Sequence, residues 1–225
     1  MGRERGKFMS DGAAASLGYT GLEKRESPRF VLLLRPAKVI TRSGEYLCIL
    51  RDVATKGVRL KLFHPLPPEA QVVLELSNGD RYEVEKLWER DGQAGFSFTH
   101  PTQLEQLLEE RSRFQKRPVR VRLEVAARLT AGGVTMPATL RDFSQYGGRI
   151  ECNLPLAINQ RLRLEAVGLP GIDAKVRWRR SSQAGLSFEQ TFKLDELARH
   201  LALIQPFGPA IPEEEDPVFN ARRMG

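Results

Sequence analysis

The chain has 225 residues, of which 41% are hydrophobic and 28% charged, an ordinary composition for a globular protein with one large or two small domains. Its longest aliphatic or aromatic run, Phe30 to Leu34, is shorter than the ~20 apolar residues of a membrane-spanning helix, and residues 1–21 lack the apolar stretch of a secretory signal. We therefore expect no membrane insertion. The net charge of +7 favours anionic partners. Two cysteines are too few for a disulfide framework, so we expect the protein in a reducing cytoplasm.

Both halves of the chain contain short segments with the pattern of β-strands, separated by turn signals. Apolar or alternating segments separated by turn signals such as Ser77-Asn78-Gly79-Asp80 predict six strands: 30–41, 46–51, 58–62, 72–76, 82–88 and 95–98. The same order follows later in the chain: 119–129, 135–141, 149–152, 161–166, 175–179 and 185–188. Six short strands suit a small closed barrel, so the sequence predicts an all-β-dominated fold with two tandem six-stranded barrels.

An internal repeat supports two copies of one domain. Residues 93–98, QAGFSF, reappear 90 positions later as QAGLSF. The same offset pairs identical residues from position 52 to position 107: Asp52 with Asp142, Gly57 with Gly147, Arg59 with Arg149, Pro65 with Pro155, Trp88 with Trp178, Leu104 with Leu194 and Leu107 with Leu197. An ungapped offset of this length is typical of a duplicated domain.

A helix is predicted after each barrel. Thr102-x-x-Glu105 reads as a capping box and predicts a linking helix over 102–112. Leu194, Leu197, Ala198 and Leu201 follow helical spacing, so we expect an amphipathic helix that covers its own barrel. The predicted organisation is a flexible tail (1–24), barrel one (25–101), the linking helix (102–112), barrel two with its helix (113–205) and a flexible acidic tail (206–225).

Two short motifs recur in each copy. An Arg-x-x-x-Arg precedes the first strand, at Arg25 and Arg29 and again at Arg113 and Arg117; this offset of 88 predicts a hairpin turn that differs by two residues. In the second copy, Asp142-x-Ser144-x-x-Gly147 lies between the second and third strands. The two motifs in this order, within a predicted β-barrel, resemble the PilZ family, whose members are six-stranded barrels that bind cyclic di-GMP.

The resemblance implies that Arg113, Arg117, Asp142, Ser144 and Gly147 contact the ligand. Arginine is planar and always charged, and it binds guanine O6 and N7, clasps a phosphate or stacks on a base. A carboxylate such as Asp142 accepts the N–H groups of guanine. Ser144 would hydrogen-bond the ligand or the backbone, and Gly147 would allow a positive φ or close backbone approach to the ligand.

The first copy departs from the motif at one position. It keeps Arg25, Arg29, Asp52 and Gly57, but has Ala54 where the motif has serine. A lost hydrogen bond costs about 0.5–1.5 kcal/mol, hence up to about tenfold in affinity, and less if the serine chiefly shapes the turn. The first copy is therefore either a weaker site or a structural partner.

Other functions find less support in the sequence. There is no P-loop, no nucleophile elbow and no paired Cys and His, so we expect neither an enzyme nor a cofactor. The three histidines lack neighbours for a metal site, and we expect Trp88 and Trp178 in the barrel cores.

The favoured hypothesis is a cytoplasmic bacterial cyclic di-GMP receptor. Binding would change the angle between the barrels and relay the signal to an unidentified effector protein. The alternatives are a nucleotide-independent adaptor that uses its barrels for protein interaction and, less favoured, a barrel that binds nucleic acid, because lysine and arginine are spread along the chain.

Overall fold

A computed structural model describes residues 30–102 and 118–205, which form twelve strands and one helix. The first barrel contains β1 (Phe30–Ile40), β2 (Glu45–Ala54), β3 (Gly57–Leu62), β4 (Gln71–Leu76), β5 (Arg81–Arg90) and β6 (Gln93–Phe98). The second contains β7 (Val121–Ala131), β8 (Val134–Ser144), β9 (Gly147–Glu151), β10 (Arg161–Ala166), β11 (Ile172–Arg180) and β12 (Gln183–Phe188), followed by α1 (Leu194–Leu203). Both arginine pairs, residues 103–112 of the predicted linking helix and both predicted tails lie outside the described residues.

Both sheets close into antiparallel barrels with the same strand order. The first runs β1-β2-β3-β6-β5-β4 and the second β7-β8-β9-β12-β11-β10. The prediction of two tandem six-stranded barrels is therefore confirmed, and each predicted strand end lies within three residues of the observed one. Alternation explains the agreement: Val58, Leu60 and Leu62 face the core while Arg59 and Lys61 face outward.

The repeat extends to the irregularities of the sheets. Bulges interrupt the pairing between Leu50 and Asp52 and, 90 residues later, between Leu140 and Asp142. Asp91 and Ser181, again 90 residues apart, both have a φ of 52°. Bulges redirect side chains, so their repetition indicates that the two barrels aim equivalent side chains in the same way.

The predicted difference between the first hairpins is wrong. Ile40 pairs with Glu45 and Thr130 with Thr135, so the 90-residue offset holds on both sides of the turn. The difference lies in the first strand of each barrel, where the irregularity spans Val31 to Arg35 in β1 but only Arg122 to Val125 in β7.

The strand register therefore shifts the offset of the repeat by one residue at the start of each barrel. Phe30 pairs with Val53 and Val121 with Phe143, which makes Phe30 and Val121 equivalent across the repeat. The residue just before Val121 is Arg120, and the residue just before Phe30 is Arg29. Arg120 is thus the residue directly before the β7 position that corresponds to Phe30.

The expected burial of the two tryptophans in the barrel cores is also wrong. Trp178 is 44% exposed, and Trp88 is half-buried. Each indole lies against a glycine of the neighbouring strand: a Cβ on Gly95 would lie 2.2 Å from Trp88 Nε1, and one on Gly185 would lie 2.0 Å from Trp178 Nε1. Because glycine has no side chain, the indole can pack directly on the backbone of the neighbouring strand on the outside of the barrel.

Helix α1 contacts both barrels. Leu197, Ala198 and Leu201 belong to the core of the second barrel, as the helical spacing predicted, whereas Ala202 packs with the core of the first. Leu47 of β2 faces outward from the first barrel and is buried against the core of the second. The ten-residue α1 is too short to cross a membrane, and the described residues contain no other helix.

The close packing of the barrel wall at Gly147 can be tested by substitution. Its φ is not positive, and an added Cβ would lie 2.1 Å from the carbonyl oxygen of Leu186 on the paired strand β12. Gly147→Ala should therefore force β9 and β12 apart and lower the free energy of unfolding by about 1–3 kcal/mol, measured by urea denaturation. The matched control is Gly171→Ala, for which the three atoms nearest the added Cβ all belong to the movable side chain of Arg163. Equal stability of the two variants would contradict this account.

Candidate ligand-binding site

A nearly buried carboxylate in the second barrel binds two guanidinium groups. The Asp142 residue is 8% exposed. Arg120 Nη1 donates to Asp142 Oδ1 at 2.7 Å, and Arg149 Nε donates to Asp142 Oδ2 at 2.7 Å. Charge-assisted bonds of this kind offset the cost of removing a carboxylate from water.

The β8–β9 hairpin and the start of β7 position this cluster. Asp142 and Arg149 are paired across the two strands, and Arg120 lies directly before β7. The bulge at Leu140 and Asp142 lets the carboxylate face outward while Leu140 stays fully buried. Asp142 thus lies near the end of strand β8. The sequence pattern had placed it in the loop between two strands, and this expectation is wrong.

The cluster has unused capacity for an anion. The side chains of Arg120 and Arg149 remain 49% and 33% exposed, and each guanidinium has five N–H donors, most of which are free of Asp142. Arg149 Nη1 also donates to Gln183 Oε1 at 3.3 Å. Two guanidinium groups around one carboxylate leave a net charge of +1 at the surface, which suits a phosphate or a guanine edge.

Ser144 and Gly147 lie within the barrel wall. Ser144 is fully buried, and its hydroxyl donates to the carbonyl oxygen of Gly147 at 2.9 Å across the two-residue turn. Gly147 does not have the positive φ that was one of its two expected roles; it is buried, and its lack of a side chain accommodates the backbone of β12. In this arrangement both motif residues shape the hairpin that carries Asp142 and Arg149.

The first barrel contains a corresponding acid–arginine pair. Asp52 is 5% exposed, and Nε and Nη2 of Arg59 both donate to its Oδ2. Ala54 pairs with Gly57 as Ser144 pairs with Gly147, so the turn keeps its register without the serine hydroxyl. Arg25 and Arg29 lie outside the described residues.

Sequence reasoning missed Arg120 and Arg149 as partners of Asp142. The repeat contained a signal for Arg149, because Arg59 and Arg149 are identical at the 90-residue offset, exposed on a period-two strand and close to the motif aspartate. No spacing rule indicated Arg120, since the 90-residue offset fails before the irregularity of β1, which contains one extra residue.

Two clefts lie outside this cluster. One of about 500 Å³ borders the loop after β9 and the β11–β12 hairpin, and reaches Arg149 only through its lining residue Gln183. Another of about 600 Å³ lies on the first barrel near Arg42 and Glu69. Neither cleft has an acid bound by two guanidinium groups, so the Asp142 cluster is the stronger candidate. Within the described residues, His, Cys, Asp and Glu side chains form no group suited to a metal ion.

The second barrel resembles a known domain family. The PilZ domain model matches residues 110–204, which contain the Asp142 cluster, the whole barrel and α1. The second barrel with its helix is therefore similar to a PilZ domain. No curated protein matches the chain.

Solved structures also match over about three quarters of this chain. The PlzA protein of Borreliella burgdorferi, solved in complex with c-di-GMP, is 10% identical; the match covers 76% of this chain and 91% of PlzA, with a TM-score of 0.30. YcgR of Escherichia coli, also in complex with c-di-GMP, is 12% identical over 75% of this chain and 82% of its own, with a TM-score of 0.31. The inhibitor of motility MotI of Bacillus subtilis is 13% identical over 74% of this chain and 93% of its own, with a TM-score of 0.32. Likenesses at these TM-scores carry no functional argument.

The hydroxyl of Ser144 allows a test of its role in the turn. Ser144→Ala removes one buried hydrogen bond and should lower the free energy of unfolding by about 0.5–1.5 kcal/mol, measured by urea denaturation. The control is Ser182→Ala, which loses only a marginal contact of 3.5 Å to Glu151. A tenfold loss of nucleotide affinity in Ser144→Ala at unchanged stability would show instead that the hydroxyl contacts a ligand.

Proposed function

We propose that the protein is a cytoplasmic bacterial receptor for cyclic di-GMP, whose principal site is the Arg120–Asp142–Arg149 cluster of the second barrel. The observation that carries the proposal is the position of this cluster within the part of the chain that matches the PilZ domain. Arg113 and Arg117, which precede the barrel in sequence, complete the proposed site, and Ser144 and Gly147 support it through the hairpin that carries Asp142 and Arg149.

The chemistry of the cluster suits both parts of the ligand. Each oxygen of the Asp142 carboxylate accepts one arginine bond and retains a lone pair for the N–H groups of guanine. Adenine presents an acceptor at the corresponding ring position, so the carboxylate favours guanine. The free donors of Arg120 and Arg149 are suited to guanine O6 and N7 or to a phosphate oxygen.

The first barrel is proposed as a weaker site or a structural partner. Its Asp52–Arg59 pair supports binding by Arg25, Arg29, Asp52 and Gly57. Ala54 argues against full affinity, although the buried position of Ser144 suggests that the missing hydroxyl affects the turn more than the ligand.

The signal would reach a partner protein through the contact between the barrels. Arg120 precedes β7, and β7 and α1 both pack against β2 of the first barrel. A ligand that binds the Arg120 segment would therefore shift the population of inter-barrel angles and change the surface offered to an effector.

Asp142→Ala is the direct test of the proposed site. Titration calorimetry with cyclic di-GMP should show an affinity about 10- to 100-fold below that of wild type, because charge-assisted hydrogen bonds to the guanine edge are lost. The control is Asp173→Ala, an exposed carboxylate of the same barrel that pairs with Arg163 at 3.1 Å and should bind like wild type. Wild-type affinity in Asp142→Ala and Arg117→Ala would refute the site.

A comparison of the two arginine pairs ranks the barrels. Arg113→Ala should weaken cyclic di-GMP binding more than Arg25→Ala, because only the second copy retains the full motif. The same titration identifies the better site, and the reverse order would make the first barrel the principal one.

Filter binding of DNA and RNA at two salt concentrations tests the alternative that the barrels bind nucleic acid, since affinity for a polyanion falls steeply with salt.

A further inference from the structure

The outer face of the first barrel contains a buried charge cluster that the proposed site does not use. Lys38 is 2% exposed, and its ammonium group lies 2.7 Å from Glu45 Oε2 and 3.1 Å from Glu75 Oε1. Glu75 also accepts a bond from Arg81 Nε at 2.7 Å. Lysine is almost never fully buried without such partners, because desolvation of its charge is costly.

The Lys38–Glu45–Glu75 cluster binds the backbone of the second barrel on both sides of Val121. Lys38 Nζ donates to the carbonyl oxygen of Arg120 at 2.8 Å, and the amide of Arg122 donates to Glu45 Oε2 at 2.8 Å. The Lys38–Glu45 pair therefore holds the chain at the residue whose guanidinium group binds Asp142. Gln205 fixes Glu45 in turn, by accepting from its amide at 2.7 Å and donating to its carbonyl at 2.9 Å.

The repeat shows that the barrel itself does not need this cluster. At the 90-residue offset, Lys38, Glu45 and Glu75 correspond to Arg128, Thr135 and Glu165 of the second barrel. Arg128 and Glu165 have side chains that are 73% and 42% exposed and lie 4.0 Å apart, and Thr135 is exposed. The second barrel closes with the same strand order, so the buried charges of the first serve the contact between the barrels.

We propose that Lys38 and Glu45 are positioning residues of the first barrel that hold the Arg120 segment at the binding site of the second. The proposal rests on the proposed function for its ligand, cyclic di-GMP, but not for its geometry. Without the two backbone bonds, the segment before the β7 irregularity would keep its pairing with β8 but lose its attachment to the first barrel, and the guanidinium group of Arg120 would spend less time on Asp142. The first barrel thereby completes a site to which it gives no ligand-contacting side chain.

The test replaces the pair with apolar residues in the full chain. Lys38→Met combined with Glu45→Leu removes both backbone bonds without leaving either partner as an unpaired buried charge, and such replacements usually preserve folding. The matched control is Lys86→Met with Glu89→Leu, an ion pair of 3.0 Å that binds backbone only within the first barrel. Thermal unfolding checks that both double variants remain folded.

The binding measurement is a mutant cycle with Arg120→Ala. Calorimetry with cyclic di-GMP should show about a tenfold loss of affinity when the Lys38–Glu45 pair is replaced with Arg120 present, and less than a twofold loss when Arg120 is already alanine. A purely structural role would lower affinity by the same factor in both backgrounds, and that result would overturn the proposal.

Amide hydrogen exchange gives a second readout that needs no ligand. Residues 119–122 should exchange at least tenfold faster in the Lys38→Met/Glu45→Leu variant than in wild type, and at the wild-type rate in the Lys86→Met/Glu89→Leu control. Unchanged exchange in the first variant overturns the positioning role. Failure of wild type to bind cyclic di-GMP refutes the proposed function alone, because the exchange experiment still decides whether the pair holds the segment.

Discussion

A charged group that is withdrawn from water must be met by opposite charge or hydrogen-bond donors, and this constraint determines both the site and the contact between the barrels. Asp142 and Asp52 are nearly buried, and each accepts hydrogen bonds from an arginine of the neighbouring strand. These ion pairs hold the two strands of each β-hairpin together on the outer face of the barrel. Lys38 is buried by the second barrel and binds two carboxylates and a backbone carbonyl. Each buried charge therefore specifies where another segment of the chain must lie.

Duplication has produced two barrels with one construction and different uses. The bulges, the tight turns and the acid–arginine pairs recur at the same offset, because they maintain the shape of the barrel wall. The outer faces differ instead. The face that is exposed around Arg128 and Thr135 in the second barrel is covered in the first, where Leu47 packs into the neighbouring core.

Local patterns in the sequence were sufficient for the strands and for the motif aspartates. Alternation at residues such as Val58 and Leu60 reports burial on one face directly, and identity across the repeat located Asp52 and Asp142. The sequence could not show that Arg120 binds Asp142, because the register before β7 departs from the repeat by one residue within the irregularity of β1. Burial of Lys38 was equally inaccessible, since it arises from contact with a strand more than 80 positions away.

The place of α1 in the chain has a consequence for biosynthesis. The helix that packs against both barrels begins at Leu194, whereas the last strand of the first barrel ends at Phe98. At a translation rate of about 5–20 residues per second, the ribosome needs roughly 5–20 s to make the intervening chain. During that interval the nascent first barrel has neither Ala202 nor the second barrel to cover Leu47 and Lys38, so this surface is open to chaperones until synthesis reaches the helix.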